Sequence, residues 1–334
     1  MTVSEEAGGR RHDRGGRPPS ITDVYRELRP LIFSIAYRML SSASDAEDTV
    51  QEAFVRYHTA VDGGVVIESP KAYLSAVVTR ISIDRLRSAV VRRERYVGQW
   101  LPEPLLTDAP EADPQELAEL GDTLSMAFLL VLERLSPVER AVFLLHDVFG
   151  YGYDEIASIV HKSQANCRQL ATRARRHVRA QKPRFEATRE QRGQLADRFF
   201  AAFTDGNLDG LVAMLADDAV TYGDGGGKAP QWSTPIMGAE RIARLFVAMS
   251  KQLSAHELSV QRHEVNGQPG AIVRNQRGEL INVFTLDIAD GQVQAVRSVI
   301  NPDKLRHLGP VADLGAMRRQ ARSGSTDSAP PASS

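Results

Sequence analysis

Apolar positions along this chain keep a helical spacing through its first half and change period after residue 189. Val50, Ala53, Phe54 and Tyr57 recur at i, i+3, i+4 and i+7 behind Ser44-Asp45-Ala46-Glu47, whose capping-box form predicts a helix start. Ser69-Pro70 predicts the next start, followed by the stripe Leu74, Val77, Val78 and Ile81. Residues 97–114 hold Pro102, Pro104, Pro110 and Pro114, which no regular helix accommodates, and read as a linker. A second helical block follows, in which Ser136-Pro137-Val138-Glu139 opens a helix that ends near Gly150. Beyond residue 189, Leu195, Phe199, Phe200 and Phe203 make one helical stripe, and Leu208, Leu211, Val212 and Leu215 another. Short β-like runs then cover 219–222, 271–275, 280–289 and 293–299, the last two joined by the hairpin signal Asp290-Gly291. Helices followed by an antiparallel meander predict an α+β domain with a concave sheet. No internal repeat is visible.

The pattern thus predicts a multidomain chain. Two all-α domains, 21–96 and 115–184, flank the linker 97–114, and an α+β domain spans 189–308. Residues 1–20 and 309–334 carry too few apolar side chains to offset ordering entropy and are expected to be disordered.

Residues 153–179 carry the sharpest local signal. Ile156, Ala157 and Val160 form a short apolar helix, His161-Lys162-Ser163 a turn, and Ser163 an N-cap. In the next helix Cys167, Leu170, Ala171, Ala174 and Val178 share one face. The opposite face presents Ala165, Gln169, Thr172 and Arg176, flanked by Arg168, Arg173 and Arg179, with Gln164 and Asn166 in the first turn. A helix-turn-helix docks such a helix in the major groove, where Gln and Arg reach base edges and Arg neutralises phosphate. His161 stands where such turns usually hold Gly, in a left-handed position that a His tolerates less well.

Charge sharpens this picture. The net charge is only −1, with 42% hydrophobic and 25% charged residues, but the charges are segregated. Residues 96–133 hold eight carboxylates and no Lys or Arg; residues 156–185 hold eight Lys and Arg and no carboxylate; residues 80–95 hold six arginines. Segregation of this kind points to a polyanion partner. No apolar run approaches the ~18 residues of a membrane span. The single cysteine, Cys167, cannot form an intramolecular disulfide and fits a reducing compartment, the cytoplasm by default.

Asp45-Ala46-Glu47-Asp48, Val50-Gln51-Glu52-Ala53-Phe54 and Asp84-Arg85-Leu86-Arg87-Ser88 resemble region 2 of the extracytoplasmic-function sigma factors. Leu132-Glu133-Arg134-Leu135 through Arg173-Ala174-Arg175 resembles their region 4. The resemblance implies core RNA polymerase as partner, through the β′ clamp coiled coil and the β subunit, and promoter DNA. Asp45, Glu47, Asp48, Gln51 and Glu52 would face the coiled coil. The loop 61–68 and the following helix would open the −10 element, with Arg80, Arg85, Arg87, Arg92 and Arg93 on phosphates. Tyr73 would either pack in the core or stack on an unpaired base. Gln164, Ala165, Asn166, Arg168, Gln169, Thr172, Arg173 and Arg176 would read the −35 element. The acidic linker would thread the polymerase toward the path of nascent RNA, or serve as a solvated spacer.

Three further motifs, Trp100-Leu101-Pro102-Glu103-Pro104, Asp224-Gly225-Gly226-Gly227-Lys228 and Asn301-Pro302-Asp303-Lys304-Leu305, are similar to the subgroup with a fused SnoaL-like (NTF2-like) domain. In that subgroup the fused domain modulates activity, so no dedicated anti-sigma factor is expected. The last two motifs are expected to clasp the linker near Trp100. Enzymes of the SnoaL fold move protons with a carboxylate; Asp217, Asp218, Asp224, Tyr222 and His263 are the candidates here, and no spacing gives them a role. Gly225-Gly226-Gly227-Lys228 fails the Walker pattern, because Tyr222 and Ala229 stand where Gly and Ser or Thr are required. No residue set has zinc spacing, so neither metal nor cofactor is expected. Two rivals stay open: a ligand-responsive helix-turn-helix regulator acting without polymerase, and a SnoaL-like enzyme.

Overall fold

A computed structural model describes residues 20–93, 96–108, 123–179 and 188–315. The ends of the predicted tails, the acidic residues 109–122 and residues 180–187 lie outside the described part.

Helices α1 (Ile21–Leu40), α2 (Ala43–Asp62) and α3 (Pro70–Arg93) form the first block. The cap of α2 is Ser42, which accepts from Asp45 N; the box expected at Ser44 and Glu47 does not form. Ser44 is instead engaged by the linker carboxylate of Glu103 (backbone N to Oε2 3.0 Å), and Glu47 pairs with Arg29 at 2.6 Å. Ser69 caps α3 as expected.

The second block contains α4 (Met126–Leu132), α5 (Pro137–Phe143) running into a π-helical segment Leu144–Val148, α6 (Tyr153–Val160) and α7 (Gln164–Arg179). The Ser136–Glu139 capping box opens α5. One apolar core runs through both blocks: Ile32, Tyr37, Leu74 and Val78 join Leu129, Leu144, Ile156 and Leu170 in a single cluster.

The last domain runs α8 (Arg189–Asp205), α9 (Leu208–Met214), β1 (Leu215–Asp224), β2 (Ile236–Met237), α10 (Ala239–Ala255), β3 (Ser259–Val265), β4 (Gln268–Arg274), β5 (Leu280–Ala289) and β6 (Gln292–Val299). Its sheet has the order β2-β1-β6-β5-β4-β3. β3 to β6 form an antiparallel meander, but β1 pairs with β6 in parallel, so the sheet is mixed. The long connection through α10 and the meander makes that parallel pairing reachable. The Asp290-Gly291 turn has φ of 53° and 72°, the left-handed pair its hairpin requires.

Alternation along the strands builds two cores. Phe284 and Leu286 pack with Phe199, Phe203 and Phe246 beneath α8 and α10. Val265, Ile272, Val283, Val299 and Leu305 pack with Leu101 of the linker and Met126 of α4. The outer face of the sheet is therefore closed by the helical half of the chain. Residues 309–315, read from composition as part of a disordered tail, also join the sheet, beside the start of β5: Leu280 N donates to Pro310 O (2.7 Å) and Ala312 N to Leu280 O (2.8 Å).

Candidate functional site

The turn between α6 and α7 is built as the sequence predicts. His161 adopts φ 53° and closes α6 in the left-handed conformation. Ser163 Oγ accepts from Asn166 N at 3.2 Å. Cys167, Leu170, Ala171, Ala174 and Val178 are buried, while Gln164, Ala165, Arg168, Gln169, Thr172, Arg173 and Arg176 are exposed and Asn166 is half-buried. Arg168 lies over the Tyr153 ring at 5.3 Å, and Arg175 is fixed by Asp147 at 2.6 Å. The Arg175–Asp147 pair holds one side of the helix to its domain, while Arg173, on the polar face, reaches Glu139 at 3.6 Å.

The residues expected at the −10 element are less available. Arg80 donates from Nε to Ile159 O (2.9 Å) and from Nη2 to Ser158 O (3.0 Å), satisfying carbonyls at the C-terminal end of α6. Arg85 is surrounded by Asp45 Oδ1 (3.6 Å), Asp48 Oδ2 (4.0 Å) and Glu52 Oε2 (3.6 Å). Arg87 pairs with Asp84 at 3.2 Å. Tyr73 is half-buried with its ring edge-on to Tyr57, so it packs against the core. Arg92 and Arg93 occupy the last turn of α3, whose side chains fall outside the described part. The acidic face of α2 is likewise partly neutralised: Glu47 by Arg29, Glu52 by Arg56 (2.6 Å), and Asp45, Asp48 and Glu52 by Arg85. Gln51 is exposed. Proximity in space, invisible in one dimension, joins the two sets.

The two helical blocks are also locked together by buried arginines. Arg140 donates to Met39 O (2.6 Å), Leu132 O (3.0 Å) and Glu133 Oε1 (3.0 Å). Arg38 reaches Thr123 Oγ1 at 3.1 Å and lies over Phe149. Ser75 and Tyr151 share a hydrogen bond of 2.7 Å across the same seam.

Between the blocks and the sheet runs the linker, 96–108. Asp224, fully buried, takes the Tyr96 hydroxyl on Oδ1 and the Leu101 N–H on Oδ2 (2.8 Å). Lys304 Nζ donates to the same Oδ2 (2.7 Å) and to Leu101 O, and stands 4.3 Å from the Trp100 ring centroid. Asn301 Nδ2 donates to the Tyr96 hydroxyl at 2.9 Å. Gly226 and Gly227, at φ 59° and 69°, bring backbone against Asn301 and Val97; a Cβ on Gly227 would lie 3.0 Å from that of Val97. Lys228, expected on the linker, pairs instead with Asp303, so it ties the two gripping motifs to each other. Pro102 and Pro104 are buried, and His307 Nε2 donates to Pro104 O at 2.7 Å.

Farther along, Glu103 turns its carboxylate to Ser42 Oγ (2.9 Å) and Ser44 N, and its carbonyl accepts from Tyr37 OH (2.6 Å). Asn266, at the β3–β4 turn, donates to Tyr37 OH (2.6 Å) and Leu124 O (3.0 Å) and accepts from Leu105 N (3.0 Å). Asp108 receives Glu264 N at 3.0 Å. The described part of the linker is thus a packed seam with its carboxylates used internally, not a solvated strap. Glu111 and Asp113 lie outside the described residues.

The comparisons agree with this layout. The chain matches Sigma-70 region 2 over 24–91, Sigma-70 region 4 over 125–178 and the SnoaL-like domain over 196–300. It is 35% identical to the ECF RNA polymerase sigma factor SigJ of Mycobacterium tuberculosis, over 84% of this chain and 91% of that one. The chain belongs to the extracytoplasmic-function RNA polymerase sigma factors. This sigma factor is also 30% identical to the probable ECF RNA polymerase sigma factor SigI of M. tuberculosis, over 88% of its own length and 97% of that protein. The crystal structure of M. tuberculosis SigJ superposes with a TM-score of 0.68 at 32% identity, covering 86% of this chain and 99% of the other.

Sequence reasoning missed several residues of the sigma factor's seam: Tyr37, Tyr96, Asn266 and His307. One signal was present. Asn266-Gly267, which joins β3 to β4, is a hairpin dipeptide, and both residues have positive φ. The carboxylate candidates of the third domain do not assemble. Asp217 and Asp218 are exposed, Asp224 is committed to the linker, Tyr222 lies under Arg297 on the outer face, and His263 pairs with Asp108 at 3.2 Å.

Proposed function

We propose that this sigma factor, on core RNA polymerase, reads the −35 element with α7 and opens the −10 element with α3 and the loop 61–68, and that the conformation described above is its closed form. In the closed form Arg80 of α3 holds the end of α6, so the two DNA-reading modules touch. Elements centred 25 base pairs apart lie ~85 Å apart on B-DNA. Modules in contact cannot span that distance, and initiation requires the seam to open.

The observation that carries this reading is the grip on Leu101, whose N–H and C=O are both taken by the buried Asp224–Lys304 pair of the fused domain. By holding the linker, the fused domain holds the spacing of the two modules and takes the place of a separate anti-sigma factor. Of the candidate carboxylates, Asp224 serves the clasp and Asp217 and Asp218 face solvent, which supports a regulatory role for the domain. Exposed Val65 and Val66 in the loop before α3 remain presented in the closed form, ready for an unpaired base.

The test is transcription in vitro with purified core polymerase. The protein should confer initiation from one promoter class selected from a random library, with rates rising when the linker grip is weakened. A protein that binds DNA alone and leaves the core enzyme inactive would be a helix-turn-helix regulator of another class.

A further inference from the structure

Two arginines of α7 are held in different ways. Arg175 uses its N–H groups, donating from Nε to Asp147 Oδ1 (2.6 Å) and from Nη2 to the Tyr153 hydroxyl (3.3 Å). Arg168 is held by its face. Its guanidinium carbon lies over the Tyr153 ring, 5.3 Å from the centroid and within cation–π range, and Nη2 donates to Gln164 Oε1 at 3.3 Å. A guanidinium held through its flat face keeps the N–H fork at its edge available in a set plane. Phosphate contact needs only charge within reach. Two parallel hydrogen bonds to a base edge need that plane fixed.

The Tyr153 ring is itself fixed by its neighbours. His146 stacks on it at 4.1 Å between centroids, with 28° between the planes. His146 Nδ1 donates to Tyr151 O (3.0 Å), which sets the orientation of the imidazole. His146 and Asp147 both come from the π-helical segment, whose wider turn is closed by the bond from Phe149 N to Leu144 O (3.0 Å). A π-helical turn inserts a residue into a helix and recurs at functional positions. Here it sends His146 to the Tyr153 ring and the adjacent Asp147 to Arg175, the arginine on the tyrosine hydroxyl. His146 and Tyr153 are half-buried and Arg168 is exposed, so the stack runs from the body of the domain out to solvent.

We propose that Tyr153 and His146 are positioning residues for promoter reading: they hold the Arg168 guanidinium at the angle from which its fork meets the N7 and O6 acceptors of a guanine in the −35 element. The inference rests on the assignment of α7 to that element. Both residues act through Arg168. A guanidinium released from the ring keeps its charge and its attraction to phosphate but samples many orientations, so selectivity declines and attraction does not.

The test uses holoenzyme assembled from core RNA polymerase and the full-length protein, bound to promoter fragments that carry each of the four base pairs at each −35 position in turn. Tyr153→Leu should lower discrimination at one guanine-bearing pair about tenfold, the size of one bidentate contact, and leave the salt dependence of binding unchanged. Tyr153→Phe keeps the ring and should keep discrimination within about twofold of the parent. His146→Ala removes the stacking partner and should lower it about threefold. Arg168→Lys keeps the charge without the fork and should match Tyr153→Leu at the same base pair. In the double variant Tyr153→Leu with Arg168→Lys the two losses should not add, because the tyrosine acts through the arginine. Circular dichroism checks that each variant is folded, and His146→Ala supplies the same readout where Tyr153→Leu is not.

Equal weakening on every −35 sequence in a folded Tyr153→Leu variant would show a structural role alone and overturn the proposal. Additive losses in the double variant, or full discrimination in the folded Tyr153→Leu and His146→Ala variants, would do the same. If Arg168→Lys leaves discrimination intact while Gln169→Ala removes it at its own base pair, Arg168 reads no base, and this inference falls while α7 keeps its assignment. If Arg168→Lys, Gln169→Ala and Arg173→Ala all leave promoter binding and selection unchanged, the assignment of α7 falls as well.

Discussion

Lys304 Nζ lies 2.7 Å from Asp224 Oδ2 with both side chains removed from solvent, and both groups also bind the backbone of Leu101. The contact ties residues 80 positions apart within one domain to a linker that belongs to the other half of the chain. Breaking one member of such a pair leaves a buried charge uncompensated, which costs about 3–5 kcal/mol. Replacing both members by neutral groups of similar size removes that cost while also removing the grip.

Lys304→Ala is therefore expected to destabilise the fused domain by about 3–5 kcal/mol in urea unfolding. The double variant Lys304→Met with Asp224→Asn should recover most of that loss. Both should bind core polymerase more tightly than the parent, because the closed form is weakened in each. Recovery of stability together with parental polymerase affinity would separate the pair from regulation.

Alkaline pH tests the Tyr96 contact. Burial, reinforced by the Asp224 carboxylate, pushes the Tyr96 hydroxyl well above its ordinary value of 10.0. The folded state then keeps this proton when the unfolded chain has lost it. Stability from this group is complete below pH 10 and declines as pH rises above 10, by about 1.4 kcal/mol per unit. Burial pushes the guanidinium groups of Arg38 and Arg140 down, to about 10 and about 9, which acts in the opposite sense on the same limb. The difference between the parent and Tyr96→Phe isolates the tyrosine, and it should shrink between pH 9.5 and 11 in denaturant titrations.

Most of the helical architecture was legible in one dimension because caps and stripes are local. Ser69, Ser136 and Ser163 cap helices where expected, and the buried stripe of α7 is complete. The third domain was legible in β1, β4, β5, β6 and the Asp290-Gly291 turn, whereas β2 and β3 were not read. α10 was not anticipated, although Ile242, Ala243 and Phe246 keep its period, and without it the parallel β1–β6 pairing has no visible cause. The clasp motifs were visible as residues without a core to serve, but their partners were not. Tyr37, Glu103 and Asn266 meet across separations of 66 and 229 positions, and no local pattern reports such a meeting. The same blindness misplaced the α2 cap, because Glu103 arrives from a distant segment to bind Ser44.

Arg80 is placed for two uses that exclude each other. In the closed form it satisfies two carbonyls of α6; on an open complex the same guanidinium is free for phosphate. Arg80→Ala should raise the fraction of protein bound to core polymerase while lowering the rate of promoter opening on that complex. Fluorescence-detected core binding and permanganate footprinting measure the two effects separately.

On α7, base-edge and phosphate roles should part in salt titrations with the polymerase holoenzyme. Gln169→Ala should cost about 1–3 kcal/mol of discrimination at one base pair of the −35 element. Arg173→Ala should weaken all sequences alike and reduce the salt slope by about 1.

The distance between the two DNA-reading modules decides whether the free protein is closed and the promoter-bound protein open. Spin labels at Lys71→Cys and Lys162→Cys, both exposed, in a Cys167→Ala background give that distance by double electron–electron resonance. One short, narrow distribution is expected for the free protein. On core polymerase with promoter DNA it should be replaced by a long one approaching the ~85 Å between the two elements. A free protein already extended, or a complex that retains the short distance, would contradict the closed-form reading.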